Sequence, residues 1–443
     1  MPDQGGDPVL VVGGGLAGAL TALLLGQRGE PVHVLERRPD PRQSGAERGR
    51  SINLAISARG LAALAAVGLE EEIRSIAIPL SGRMIHAPNG RTTFQAYGRR
   101  GQAINSVSRA ALNTTLLDAA GRQAGVRLEF GRRCTAVDPA TGLVTTVAEP
   151  SGVEGRHRGR LVIGADGAFS AVRQQLQRRE RYDYSQSWLA HGYKELVIPP
   201  DPAGGWALDP GALHIWPRGG FMMMAMPNLD RSFTVTLYLA FEGGDASFAA
   251  LAAPGAVERF FRREFPDALS LLPTLREDFA AHPTGSLVTI RTRPWHEGRV
   301  VLVGDACHAI VPFFGQGANA AFEDVLVLGD ALARHREPEA AFVEYEQRRS
   351  RHTEAIADLA LANFEEMRDH VASPGFQWRK RLERALHTLM PGVFIPLYTM
   401  ISFTTIPYAD ARDRARRQDR VLRLAGLLAA GVLLAALLAL VLT

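Results

Sequence analysis

Lysine is almost missing from this chain: of 50 basic residues only Lys194 and Lys380 are lysines, the rest being arginine. With abundant alanine and glycine, this skew points to a GC-rich coding sequence and carries no chemistry of its own. The formal net charge is only +4, too small for the basic footprint of a nucleic-acid binder. Cysteine is scarce as well. Cys134 and Cys307 stand far apart, which excludes a clustered metal motif and a disulfide framework and fits a reducing compartment. No signal peptide is expected, because the first apolar run carries a glycine motif and lacks a basic leader and a cleavage pattern. Internal repeats are absent, and so are low-complexity linkers, apart from an arginine-rich stretch near the end. Long uninterrupted apolar runs are missing too, with one exception. Pro391 to Tyr408 is apolar but broken by Pro391, Pro396 and Pro407, and reads as a packed lid. Leu424 to Thr443 has 20 residues without a charge. As a helix it would reach ~30 Å, the thickness of a bilayer core. Arg412, Arg414, Arg416, Arg417, Arg420 and Arg423 precede it and would stay on the cytosolic side. The expectation is a C-terminal membrane anchor, with a packed helix or an oligomer contact as the alternative.

The chain has 443 residues and is 46% hydrophobic, enough for two or three packed domains. Pro8 to Val12 reads as a buried strand, Leu16 to Arg28 as a helix and Val32 to Leu35 as a second strand ending at Glu36. Between the first two lies Gly13-Gly-Gly15-Leu-Ala-Gly18. This is the dinucleotide fingerprint in its required strand–turn–helix context. Gly13 permits the tight turn, Gly15 admits a pyrophosphate to the backbone, and Gly18 allows close helix–strand packing. Glu36 would accept hydrogen bonds from an adenosine ribose. The motif alone does not separate FAD from NAD. Two further strands end at acids: Leu161 to Ile163 runs into Gly164-Ala-Asp166-Gly167, and Val300 to Val303 into Gly304-Asp305. After Asp305 an irregular segment leads to a helix near Gly317, whose start would offer free N–H groups to the same place.

Other candidates are more local. Arg48 to Arg59 reads as a loop entering a helix from Ala58 to Val67. Gly82 to His86 and Thr92 to Tyr97 read as a hairpin across Asn89-Gly90. A strict two-residue turn would pair Arg83 with Ala96 and put Tyr97 on the opposite face, so a shared pocket requires a bulge or a Tyr97 that lies past the paired region. Ser108 is a candidate N-cap, with Arg109 in the first helical turn, where a cation needs a nearby anion. From Tyr182 to Ile290 strand-like runs dominate and suggest an inserted antiparallel sheet. Met222, Met224 and Met226 would share one face of a strand, as plain core or as an adaptable apolar wall. Asn363 and Met367, four residues apart, would share a helix face.

Three separated motifs thus coincide, and further segments join them: Arg50-Ser-Ile-Asn-Leu-Ala-Ile-Ser57, Gly82-Arg-Met-Ile-His86, Ser106-Val-Ser-Arg-Ala-Ala-Leu-Asn113, His191-Gly-Tyr-Lys-Glu-Leu196, Leu213-His-Ile-Trp-Pro-Arg218, Ser232-Phe-Thr-Val-Thr-Leu237 and Val311-Pro-Phe-Phe-Gly-Gln-Gly317. Together they resemble the single-component flavoprotein aromatic hydroxylases of the para-hydroxybenzoate hydroxylase fold. Within that family they resemble the branch that hydroxylates L-kynurenine. The resemblance implies an α/β fold in which a Rossmann-like FAD-binding domain (1–75, 100–180 and 291–340) interleaves with an antiparallel substrate-binding sheet (76–99 and 181–290). A helical lid (341–420) and the apolar tail (421–443) follow. It implies bound FAD, held by Gly13, Gly15, Leu16, Ala17, Gly18, Glu36, Arg37, Ala55, Arg109, Asp166 and Asp305, with Gly317, Ala318 and Asn319 beside the flavin ring. It implies that Arg83 and Tyr97 bind the substrate carboxylate, and that Asn363 and Tyr398 reach its amino-acid head group. Met222, Met224, Met226, Tyr238, Pro312, Phe313 and Met367 would enclose its aromatic ring. NADPH would reduce the flavin from a transient groove, and O₂ would form the C4a-hydroperoxide that hydroxylates the ring. No dedicated catalytic side chain and no metal are implied. Homodimer formation is left open.

Overall fold

The computed structural model describes residues 6–43, 53–99, 101–370 and 373–442. Arg50 to Ile52, part of a segment that carried the resemblance, lie outside the described residues. The organising layer is a six-stranded sheet in the order His296–Glu297, Val300–Leu302, Leu161–Gly164, Val9–Val12, Val32–Glu36, Val126–Phe130. All but the first edge pairing are parallel. The inner strands are short runs of Val, Leu and Ile buried on both faces, as helix-covered parallel strands must be. Helices Leu16–Gln27 and Gly317–Arg334 join them in one apolar core.

Register aligns the strand ends. Val12 pairs with Gly164, and Gly164 with Leu302. The turns after three neighbouring strands therefore lie side by side at the carboxyl edge of the sheet. The glycines allow this approach. A Cβ on Gly13, at φ +104°, would lie 2.5 Å from the Ala165 carbonyl oxygen, and one on Gly18 would lie 1.9 Å from that of Gly13.

The second large layer is a seven-stranded sheet in the order Gly285–Arg293, Asp183–Ile198, Phe233–Ala240, Met222–Pro227, Ala212–Pro217, Gly82–His86, Thr92–Ala96. It is antiparallel except where Ala212–Pro217 runs parallel to Gly82–His86. Alternation splits its methionines. Met222 joins the core cluster that holds Tyr97, Tyr238, Phe313 and Met367, with Met224 and Met226 packed at its edge, while Met223 joins a separate cluster on the other face.

Two expectations change. Asn53–Ile56 is a strand rather than loop: it pairs with Ile104–Ser108, whose other edge takes Ile78–Leu80. That small sheet ties residues assigned to the substrate-binding part to the nucleotide-binding part. The hairpin loop holds three residues rather than two. Arg83 pairs with Gln95, Ala87 N–H donates to the Arg91 carbonyl, and Gly90 adopts φ +78°. A two-residue turn would need residue 88 to donate, and Pro88 has no N–H. The added loop residue shifts register by one, so Tyr97, whose N–H donates to the Ser81 carbonyl, falls on the face of Arg83.

Helix Pro338–Glu365 continues into a π-helical turn, Glu366–His370. Leu397–Phe403 is a short helix with Thr399 to Ser402 buried, as a packed segment requires. The last helix is Tyr408–Leu442. Among the described residues no helix is long and apolar enough to cross a membrane, so the spanning segment expected from Leu424 to Thr443 is not found there. Most side chains beyond Gly431, and all of Thr443, lie outside the described set.

Candidate functional site

At the aligned strand ends, helix Leu16–Gln27 begins after Gly15 with no side-chain cap. Its leading N–H groups, from Leu16 and Ala17 onward, are available to an anion. A Cβ on Gly15 would meet nothing within 4 Å, which is the open approach a pyrophosphate needs. The Glu36 carboxylate is buried and anchored, accepting from Gly14 N–H at 2.6 Å and Arg38 N–H at 2.9 Å. Arg37 beside it is exposed. Gly304, at φ +62°, brings its turn against Ala17 and Ala321: a Cβ there would sit 3.4 Å and 3.0 Å from their methyl groups. This joins the glycine motif, Asp305 and helix Gly317–Arg334 in one place. Asp305 is exposed. The Arg109 charge acts on its carboxylate. Arg109 is exposed in the first turn of helix Arg109–Gly121, which Ser108 caps through Ala111 N–H, as expected. The anion near Arg109 is thus Asp305.

Two residues expected at the cofactor spend their side chains within the protein. Asp166 spends its carboxylate on the helix Ala171–Leu176, accepting from Ala171 N–H at 2.7 Å, Val172 N–H at 3.2 Å and the Ser170 hydroxyl. The Asn319 side chain is fully buried and saturated. It donates to the Ala55 and Gly315 carbonyls at 2.8 Å each and accepts from Ser57 N–H at 2.9 Å. Only its backbone can face a ligand. Helix Gly317–Arg334 has no side-chain cap, so Gly317 and Ala318 present their N–H groups beside Ala55. These features fit FAD: an uncapped, glycine-lined helix start for the pyrophosphate, an anchored acid for the ribose and a second uncapped start for an electron-rich ring.

The substrate candidates gather beside this edge. Arg83 is buried, with its Cζ 5.5 Å from the Tyr97 ring and 5.2 Å from the Tyr398 ring. The two phenols stack at 4.9 Å and 16°. Burial pushes both phenols up, so they stay protonated. Burial also opposes the Arg83 charge, but Tyr97, Tyr398 and Glu366 outweigh it and the net shift is upward. Arg83 Nε and Tyr97 Oη are buried without a hydrogen-bond partner. Such groups cost free energy unless something pairs them. Both residues line a cavity of about 170 Å³ together with Tyr398, Glu366, Lys380 and Glu383.

Glu366 was not foreseen. It lies in the π-helical turn beside Met367, and an extra residue per turn leaves no mark on a 3.6-residue pattern. Asn363 does not reach this cavity. Its amide donates to the Phe313 carbonyl at 2.6 Å and approaches Met367 Sδ at 3.3 Å. It thus fixes the loop carrying Phe313, and the shared helix face with Met367 is as expected. Phe313 stacks on Phe364 at 4.2 Å and meets Tyr238 edge-on at 4.9 Å. Met222 and Met367 are buried in the same cluster, whereas Pro312 is exposed.

Comparison with known proteins gives a consistent result. Over residues 7–360 the chain matches the family model of an FAD binding domain. It is 48% identical over 421 residues to kynurenine 3-monooxygenase of Salinispora arenicola, covering 94% of this chain and 92% of that protein. It is 47% identical over 417 residues to kynurenine 3-monooxygenase of Myxococcus xanthus, covering 94% and 90%. Among solved structures, 2-methyl-3-hydroxypyridine-5-carboxylic acid oxygenase matches with a TM-score of 0.68 at 21% identity, covering 86% of this chain and 96% of its own. That last likeness is one of fold.

Proposed function

From the premise that this chain belongs to the kynurenine 3-monooxygenase family of FAD-dependent aromatic hydroxylases, we propose that it converts L-kynurenine to 3-hydroxy-L-kynurenine with NADPH and O₂. The observation that carries the substrate reading is Arg83, buried and unpaired at Nε between two protonated phenols, with Glu366 on the same cavity wall. A cation and a carboxylate about one small cavity complement the carboxylate and ammonium of an amino acid. Arg83 would bind the carboxylate in a bidentate pair, Tyr97 and Tyr398 would donate beside it, and Glu366 would accept from the ammonium. The cluster of Phe313, Phe364, Tyr238, Met222 and Met367 suits the aromatic ring and excludes water from it. Bound FAD supplies the oxygen-transfer chemistry. Gly13, Gly15 and Gly18 with Leu16 and Ala17 would hold its pyrophosphate, Glu36 its ribose, Arg109 and Asp305 its middle, and the Gly317–Asn319 backbone its ring. Asn363, by clamping the Phe313 carbonyl, would hold the wall between flavin and substrate.

L-kynurenine is expected to stimulate NADPH oxidation by the purified holoenzyme, with 3-hydroxy-L-kynurenine identified by mass spectrometry. Protein that carries FAD but neither speeds NADPH oxidation nor consumes kynurenine would sink this reading.

The reading also includes lipid contact by the tail. What supports it is the uncharged run from Leu424 to Thr443 behind six arginines, with Leu424, Leu427 and Leu428 exposed. Deleting 424–443 should move the protein from the membrane fraction to the supernatant with FAD retained. A full-length protein already in the supernatant without detergent would exclude the anchor.

A further inference from the structure

Behind the Gly304–His308 turn, among strands Asp183–Ile198 and Gly285–Arg293 and helix Pro338–Glu365, lies a second cavity of about 450 Å³. Its lining shares no residue with the cavity at Arg83. Three lining residues carry polar atoms that are buried and without a hydrogen-bond partner: Tyr182 Oη, Thr292 Oγ1 and His308 Nδ1. Thr292 and His308 are each 5% exposed. The Tyr182 and Thr292 hydroxyls lie near one another without closing a bond. His308 gives its other ring nitrogen to Asp324. Despite burial, Asp324 holds this imidazole well above its usual range, so Nδ1 carries a proton. Tyr182 leans on Thr292 and His308 on Cys307, and all three groups can still donate to an added acceptor.

The acids beside these groups are already committed, and Asp183, which also lines the cavity, is exposed. Asp324 is held by His308 and, at 2.7 Å, by Arg349, while Glu354 pairs with Arg293 at 3.0 Å and Asp358 with Arg291 at 2.6 Å. A metal ion on Cys307, His308 and Asp324, which lie close enough together to hold one, would have to displace the Arg349 cation. The remaining walls include Trp295, Tyr184, Ile290 and Ala357, which suit a flat apolar body.

We propose that this cavity is a second ligand site, distinct from the flavin and kynurenine sites, that takes a small aromatic carboxylic acid. The carboxylate accepts from Tyr182, Thr292 and His308, and the ring lies against the aromatic wall. Because His308 is three residues after Asp305, occupancy here bears on the turn assigned to the flavin.

The test uses FAD-loaded protein carrying Arg83→Ala, so that binding of an acid at the kynurenine cavity is weakened. Benzoate is the probe and benzamide, its uncharged isostere, the control, both by titration calorimetry. Benzoate should bind this protein. Adding Thr292→Val or Tyr182→Phe should weaken it ~10-fold or more, the usual scale for a buried donor lost to an ionic acceptor. Benzamide should bind at least ~10-fold more weakly than benzoate. Each added substitution deletes only a hydroxyl or swaps it for a methyl, and folding is checked by FAD content and melting temperature. Loss in either hydroxyl variant supports the site. It is overturned by no benzoate binding to the Arg83→Ala protein, by unchanged binding in both hydroxyl variants, or by benzamide binding as well as benzoate.

Discussion

Replacing Arg83 by alanine should weaken L-kynurenine binding by ~30-fold to several thousand-fold, the ~2–5 kcal/mol lost when one partner of a buried charge pair is truncated. FAD content should not change. Arg83 Nε makes no hydrogen bond in the protein, and its neighbours are two aromatic faces at 5.2 and 5.5 Å. The Nε of a buried guanidinium is therefore left for a ligand, while its other contacts are to the two phenols. Among the described residues lining its cavity Arg83 is the only buried arginine, so the substrate carboxylate loses its buried cationic fork. Arg83→Lys should fall between the two proteins, since the charge remains but the planar fork and stacking on the phenols do not. Binding is read from the change in flavin absorbance or fluorescence as kynurenine is added, with FAD stoichiometry measured in parallel. Unchanged affinity in Arg83→Ala would remove this residue from the site, and loss of FAD would move it to the cofactor.

The parts legible in the sequence are those governed by local rules. The glycine fingerprint could be read because each glycine answers a steric demand, seen in the 1.9 Å clash a Gly18 side chain would make. The Ser108 cap and the methionine row follow from one helix end and one strand period. The register around Arg83 was also present, in Pro88, whose missing N–H excludes the two-residue turn that Asn89-Gly90 otherwise favours. What was not legible depends on which of two partners a polar side chain meets. Asp166 and Asn319 are of the types that hold cofactors, yet Asp166 caps its own helix and Asn319 stitches Gly315 to Ala55 and Ser57. Asn363 likewise spends its amide on Phe313. For Asn319 the choice is made by packing against Ala55 and Ser57, more than 260 residues away, and for Asp166 by a local cap that competes with the ligand role, so no period distinguishes the two uses.

Asp324→Asn should lower the free energy of unfolding by ~3 kcal/mol or more, at the scale of a buried charge pair broken from one side. Asp324 is fully buried between the His308 ring and the Arg349 guanidinium, itself 2% exposed. Burial raises the cost of its charge, but His308 and Arg349 outweigh that and hold its carboxyl below the usual range. Glu323 also reaches Arg349, at 2.7 Å, but is partly open to water. Glu323→Gln should therefore cost clearly less, because Asp324 still neutralises Arg349. The two partners give opposite pH signatures. A lowered Asp324 contributes above its ordinary pKa and is lost only as pH falls through its folded value. A raised His308 contributes fully below its ordinary value near ~6.5, and that share is lost as pH rises through its folded value. The native protein should thus lose stability on the alkaline side, and Asp324→Asn should flatten that decline, since the imidazolium has lost its carboxylate. Urea unfolding followed by tryptophan fluorescence, repeated across neutral to alkaline pH, measures both effects. A destabilisation below ~0.5 kcal/mol, the scale of an ordinary surface change, would show that the network is not holding these helices together.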